Sequence, residues 1–196
     1  LFALQQELDM YKTLQHKIDA YDAEIKKFLE NSINDNDDKR QHTIEKKTHK
    51  RVNKNDPKNI DLNLAGYQYF EGVDLLAIEG FSHSTLLTLM SEVGPDGIKR
   101  FPTAKHFSSW LRLSPNNKIS AGKVLSNKIP KGSNRLKIAL RNAANAIVNL
   151  KSSTPLADFF KRINFRKGRV SAISATARKL SVIIWNMVVK HIPYVN

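Results

Sequence analysis

Apolar residues at the start of the chain follow a seven-residue rhythm. Leu4, Tyr11, Ile18 and Ile25 recur at that spacing, and Leu14, Tyr21 and Phe28 stand three places after the last three of them. Charged and polar residues fill most other positions, so this a/d pattern predicts a coiled-coil or helical-hairpin arm over residues 1–30. The alternative is an ordinary amphipathic helix packed on its own domain. From Asn31 to Ile60 the periodicity stops. Asn, Asp, Lys and Arg dominate this stretch, which ends in Asn53-Lys54-Asn55-Asp56-Pro57 and reads as a mobile polar linker.

Beyond residue 60 the pattern predicts short helices, forming a helical domain over residues 61–196. Leu75 to Phe81 and Ser84 to Val93 read as two small helices around the Gly80 turn, with Ser82 or Ser84 as cap and Gly94-Pro95 as stop. The arrangement resembles a helix-hairpin-helix, which grips phosphates through turn amides, but Ser82 replaces that motif's second glycine. A turn that serves packing alone is at least as good a reading. Thr103 can cap a helix carrying Ala104, Phe107, Trp110 and Leu111, which Pro115 ends; Trp110 is assigned to the core. Asn116 to Asn134 shows neither a helical nor a strand period. A strong helix follows, with Leu136, Ala139, Leu140, Ala143, Ile147 and Leu150 on one face and Arg135, Arg141, Asn142, Asn145 and Asn149 away from it. Thr154-Pro155 opens another helix, with Asp158 near its first turn. The last helix buries Ile173, Ala177, Leu180, Ile184 and Val188 and stops near Ile192-Pro193. No segment alternates convincingly enough for a sheet, so the expected fold class is all-α.

Charge changes the picture more than composition does. Hydrophobic residues at 41% and charged ones at 26% are ordinary for a globular chain, whereas a net charge of +14 on 196 residues is not. Residues 101–196 carry 18 basic side chains and one acidic one, Asp158, a local balance of +17. A half-chain of one sign cannot neutralise itself through internal ion pairs, and nucleic acid is the expected partner. The same imbalance leaves no pair of metal-binding carboxylates in this half, so no metal site is assigned to the chain. With no cysteine there is neither a disulfide framework nor a thiolate nucleophile, which favours an intracellular, cytoplasmic setting. The longest apolar run, Val182 to Trp185, falls far short of the roughly 20 residues a membrane helix needs, and no membrane association is expected. The chain opens on Leu1 rather than Met, which suggests a piece of something longer.

Candidate chemistry concentrates in Pro115-Asn116-Asn117-Lys118-Ile119-Ser120-Ala121-Gly122-Lys123. A serine in a glycine-containing loop, flanked by Lys118 and Lys123 and followed by Lys128, Lys131 and Arg135, has the ingredients for attack on a phosphodiester. Such a step needs an activated oxygen and fixed cations or amides for the phosphorane charge. Gly132-Ser133-Asn134, at the start of the next helix, adds amides suited to a phosphate. Further cations, Arg141 and then Arg162, Arg166, Lys167 and Arg169 around Gly168, are candidate nucleic-acid contacts. The histidines add nothing decisive: His42 and His49 fall in the linker, and His106 lies near Trp110. No HExxH, CxxC, Walker loop or nucleophile elbow appears, which argues against protease, ATPase and hydrolase classes.

Taken in order, these residues resemble the C-terminal portion of the IS-one-ten family of bacterial insertion-sequence transposases. The likeness runs through Leu1 to Leu4, Gly72 to Leu75 with Ile78 to Gly80, Phe101 to Phe107, Ser109 to Leu111, Pro115 to Lys123, Asn134-Arg135, Leu140-Arg141 with Ala143-Ala144, and Ala175 to Ala177 with Lys179-Leu180. The resemblance implies that Ser120 is the serine that joins covalently to DNA during strand exchange. It also implies a separate RuvC-like domain holding divalent metal, expected to be magnesium, through an Asp-Glu-Asp-Asp set. Homo-oligomers built on the coiled coil and a structured RNA that directs the protein to donor and target DNA are implied as well. Two departures stand out. Ala121 occupies a place where many relatives have glycine, and no residue here matches the metal-binding domain, so this chain alone is expected to bind nucleic acid without completing the reaction. The rival reading is a non-catalytic basic remnant with a dimerisation arm.

Overall fold

The structure, a computed structural model, describes residues 1–37, 48–54, 56–126, 128–132, 134–150 and 153–195. His42, Ser133 and residues 38–47 of the 31–60 segment lie outside the described residues. Eight α-helices and one short hairpin are seen among the rest. Helix α1 spans Phe2–Asp37 and runs seven residues past the expected arm. The smaller helices are α2 (Leu62–Tyr69), α3 (His83–Glu92), α4 (Gly94–Lys99) and α5 (Ala104–Trp110), with a 3-10 turn at Leu75–Ala77. After β1 (Lys118–Ser120) and β2 (Lys123–Ser126) come α6 (Arg135–Val148), α7 (Pro155–Lys167) and α8 (Arg169–Lys190).

The helix starts follow their side chains. Ser82, Thr103 and Thr154 accept backbone N–H groups of the first turns of α3, α5 and α7, and Asn134 does the same for α6 at 2.7 Å from Lys137 N. Gly94-Pro95 does more than stop α3: proline at the first turn opens α4 at once. Helix α8 is the axis of the core. Its buried Ala177, Leu180, Ile184 and Val188 meet α4, α5, α6 and α7. By length and composition alone α8 could cross a membrane, but it is the core helix of this domain, with more than half of its most apolar stretch buried. The indole of Trp185 donates to Phe101 O at 3.0 Å, and Ser108 pairs with Ser181 at 2.9 Å where α5 crosses α8. Trp110, expected in the core, packs on Phe101 and Phe107 with 40% of its surface still exposed.

The apolar contact of helix α1 with the domain begins at Ile25, and just before it Asp22 accepts from Lys58 N at 2.8 Å while Asp19 lies 3.5 Å from Lys58 Nζ. Ile25, Leu29 and Ile33, four residues apart, pack on Leu62 and Ala65 of α2. Leu4, Tyr11, Leu14, Ile18, Tyr21 and Phe28 are exposed. The described residues between α1 and α2 are tied to the domain instead of standing off as a linker. His83, 1% exposed, holds Asp56 Oδ2 through Nδ1 at 3.0 Å and faces Asn63 Oδ1 through Nε2 at 3.2 Å. Asn63 in turn exchanges two hydrogen bonds with the backbone of Lys50. Burial works to raise the Asp56 carboxyl but is outweighed by the Asn53 amide and His83, which hold it below the ordinary carboxylate range. Lys50 Nζ donates to the carbonyls of Ile78 and Phe81, the two sides of the Gly80 turn. At Gly80, with φ +70, a Cβ would stand 2.5 Å from Ala143 O. That turn is therefore packed against α6 and capped by lysine, as the packing reading expects.

Candidate nucleic-acid interface

The Asn116–Asn134 segment, read as irregular, contains a two-stranded antiparallel hairpin. Ser120 pairs with Lys123 and Ile119 with Val124, with a bulge near Lys118. Ala121 and Gly122 make the two-residue turn with φ of +46 and +74, the sign that tight hairpin turns of the primed type demand. Glycine takes this conformation freely; alanine pays roughly 1–2 kcal/mol. The signal was hard to read because the described strand residues are mostly exposed, so no buried face imposes an apolar alternation.

Alternation along the ribbon puts Lys118 and Ser120 on the same face, and the register sets Lys123 directly across from Ser120. Ser120 is exposed, and among the described residues its hydroxyl has no protein partner. Ile119 points to the opposite face and is 62% exposed.

The hairpin is held at its base by cations that sequence reading did not single out. Asn116 N donates to Lys128 O at 3.0 Å and closes the loop. Just beyond, Arg112 Nη1 donates to Lys131 O at 2.7 Å and Lys137 Nζ to Gly132 O at 2.8 Å. Lys137 is 94% buried by its relative exposure of 6%. Burial, then the charges of Arg141 and Arg112, pull its ammonium below the usual lysine range. The available signal for Lys137 is its position four residues before Arg141 on α6.

Helix α6 carries this base towards the second group of predicted cations. Lys137, Arg141 and Asn145 share one face at four-residue spacing, about 12 Å of helix axis. Arg141 donates to Ser174 of α8 at 2.9 Å, and Asn145 accepts from Arg169 at 2.6 Å. A cationic stripe thus links the hairpin base to the α7–α8 corner, where Arg162, Arg166 and Lys167 are exposed. Arg135 is exposed at the head of α6, with Glu92 4.0 Å away. Lys128 and Lys131 are exposed along the return from the hairpin.

This geometry defines a class: a helical domain with a cationic stripe and a serine displayed on a ribbon, suited to a polyanion rather than to an enclosed small substrate. Residues 74–160 match the family model described as Transposase IS116/IS110/IS902 family. The family resemblance read from the sequence is borne out over that stretch, and a transposase-related role with DNA as the material handled follows from it. The match takes in the hairpin with Ser120 and all of α6 but ends before Arg162. No curated protein and no solved structure matches the chain.

Proposed function

We propose that the chain is the strand-transfer part of a DNA transposase in which Ser120 is the nucleophile. The observation that carries this is the shared exposed face of Lys118, Ser120 and Lys123 on the ribbon. A phosphodiester laid on that face meets the hydroxyl between two ammonium groups. The Ser120 oxygen bonds to phosphorus, its proton is lost, and the phosphorus–oxygen bond to one deoxyribose breaks and frees a strand hydroxyl. Attack on the phosphoserine by a different strand's hydroxyl reverses the chemistry and restores the serine. Fixed cations stabilise the pentavalent charge of both steps.

Lys128, Lys131, Arg135 and Arg141, with Arg162, Arg166, Lys167 and Arg169 further along, hold the nucleic acid. A divalent metal does not fit residues of this half: beyond Asp96 the sequence has only Asp158, which accepts from Ser153 at 2.8 Å and lies 3.5 Å from Lys161. Magnesium and its Asp-Glu-Asp-Asp set are proposed to come from a separate RuvC-like domain, a structured guide RNA to share the cationic surface, and α1 to pair two copies. The rival, a non-catalytic basic remnant, shares every cation and differs only at the serine. Ser120→Ala in the protein joined to its metal-bearing domain is expected to bind element-end DNA normally and to give no covalent band on a denaturing gel; an adduct that persists rejects the nucleophile.

A further inference from the structure

Helix α7 ends in an aromatic residue that the core does not use. Phe160 is buried and Phe159 lies beneath two cations, with Lys179 Nζ 4.7 Å and Arg162 Cζ 5.6 Å from its ring centre. Phe165, one turn further on, is 92% exposed, and Val170 beyond the Gly168 turn is 72% exposed. Leaving a phenylalanine side chain in water forgoes the largest apolar gain a residue of this size can make. Lys161 and Arg162 stand one helical turn before Phe165 on the same side, and Arg166 and Lys167 follow it directly. The only carboxylate of this half, Asp158, is engaged by Ser153 and Lys161, so it does not neutralise Arg166 or Lys167.

We propose that the α7–α8 corner is a seat for an unpaired nucleotide, whose base stacks on Phe165 while its flanking phosphates lie on Arg162, Arg166 and Lys167. An apolar protein partner would bury Phe165 but leave these cations unpaired. A polyanion satisfies both. A base inside a duplex has no free face to offer an aromatic ring, so the ring selects a strand that is unpaired at that point. Phenylalanine has no hydrogen-bonding group, so the seat reads no base identity, as stacking platforms for single strands do. Together with Arg169, which is anchored to Asn145, the seat lies at the far end of the α6 stripe from the hairpin. The inference rests on the nucleic-acid-binding part of the proposed function and is independent of Ser120.

The test is anisotropy of the full chain with a fluorescent 20-nucleotide single strand, as DNA and as RNA, and with the matching blunt DNA duplex. Phe165→Ala should weaken single-strand binding roughly tenfold, the worth of one stacked base, and leave duplex binding unchanged. Phe165→Trp should restore it and Phe165→Leu should not. The side chain is outside the core, so circular dichroism should be unaltered. Arg166→Gln with Lys167→Gln should weaken single strand and duplex alike. Equal loss on both substrates with Phe165→Ala, no loss at all, or full rescue by leucine overturns the stacking seat. A wild-type chain that binds neither substrate overturns the nucleic-acid reading itself, which distinguishes the two failures.

Discussion

At Gly132 the backbone runs at φ +92, and a Cβ would stand 1.9 Å from Arg112 Nη1. The same guanidinium holds Lys131 O, and Arg112 is itself at φ +53, so the close approach is built from both sides. Gly132→Ala should therefore strain the backbone and displace Arg112 from its carbonyl. The combined effect is a loss of about 2 kcal/mol, read from the urea midpoint at unchanged slope. Ala121→Gly should do the reverse at the hairpin tip, where alanine sits at φ +46. Its gain of about 1 kcal/mol should slow amide exchange in residues 118–126 and raise the urea midpoint at unchanged slope. Neither positive φ is written in the apolar pattern: at Gly132 it goes with the packing of a distant guanidinium, and at Ala121 with the hand of the hairpin turn. The Asp56–His83–Asn63 set was equally invisible. Periodicity reports which face of α3 is buried, and says nothing of a polar partner 27 residues earlier.

Among the elements, the helices were the most readable, because caps and apolar stripes are local. Thr103, Asn134 and Thr154 each start the helix that follows them. The hairpin was missed because Ala121-Gly122 lacks the usual Asn-Gly turn signal and the strands bury no face. Gly94-Pro95, read as a stop, also begins α4, since proline suits a first helical turn as well as it ends the previous one. Helix α1 presents the opposite situation. Its heptad was plain, yet this chain covers none of Leu4, Tyr11, Leu14, Ile18, Tyr21 or Phe28. An isolated seam of that length is apolar surface looking for a partner helix. Leu14→Asp with Ile18→Asp should convert an oligomer to monomer on sedimentation and leave the melting of the domain nearly unchanged, since the apolar contact of α1 with the domain begins at Ile25 and both substituted side chains are exposed. A mass independent of these substitutions would show that the arm does not set the assembly.

For the molecule as a whole, the charge count favours a polyanion as partner, and the fold says how the cations are arranged. Lysines of the hairpin and arginines of the α7–α8 corner are about 40 residues apart in sequence and are joined through Lys137, Arg141 and Asn145 along one face of α6. That connection could not be read from composition, because Lys137 is buried and its role is to hold Gly132 O. If nucleic acid follows the stripe, six or more phosphates are neutralised, and affinity should fall roughly a thousandfold between 50 and 200 mM salt. Each cation removed from the path should lower the slope of log affinity against log salt by about one. Lys118→Gln with Lys123→Gln and, separately, Arg166→Gln with Lys167→Gln should each reduce it by about two, and the four together by about four. Additive slopes mean that one ligand spans both ends. If either pair alone abolishes the salt dependence and the other changes nothing, the two ends do not share a strand, and the stripe along α6 is a structural brace for the hairpin.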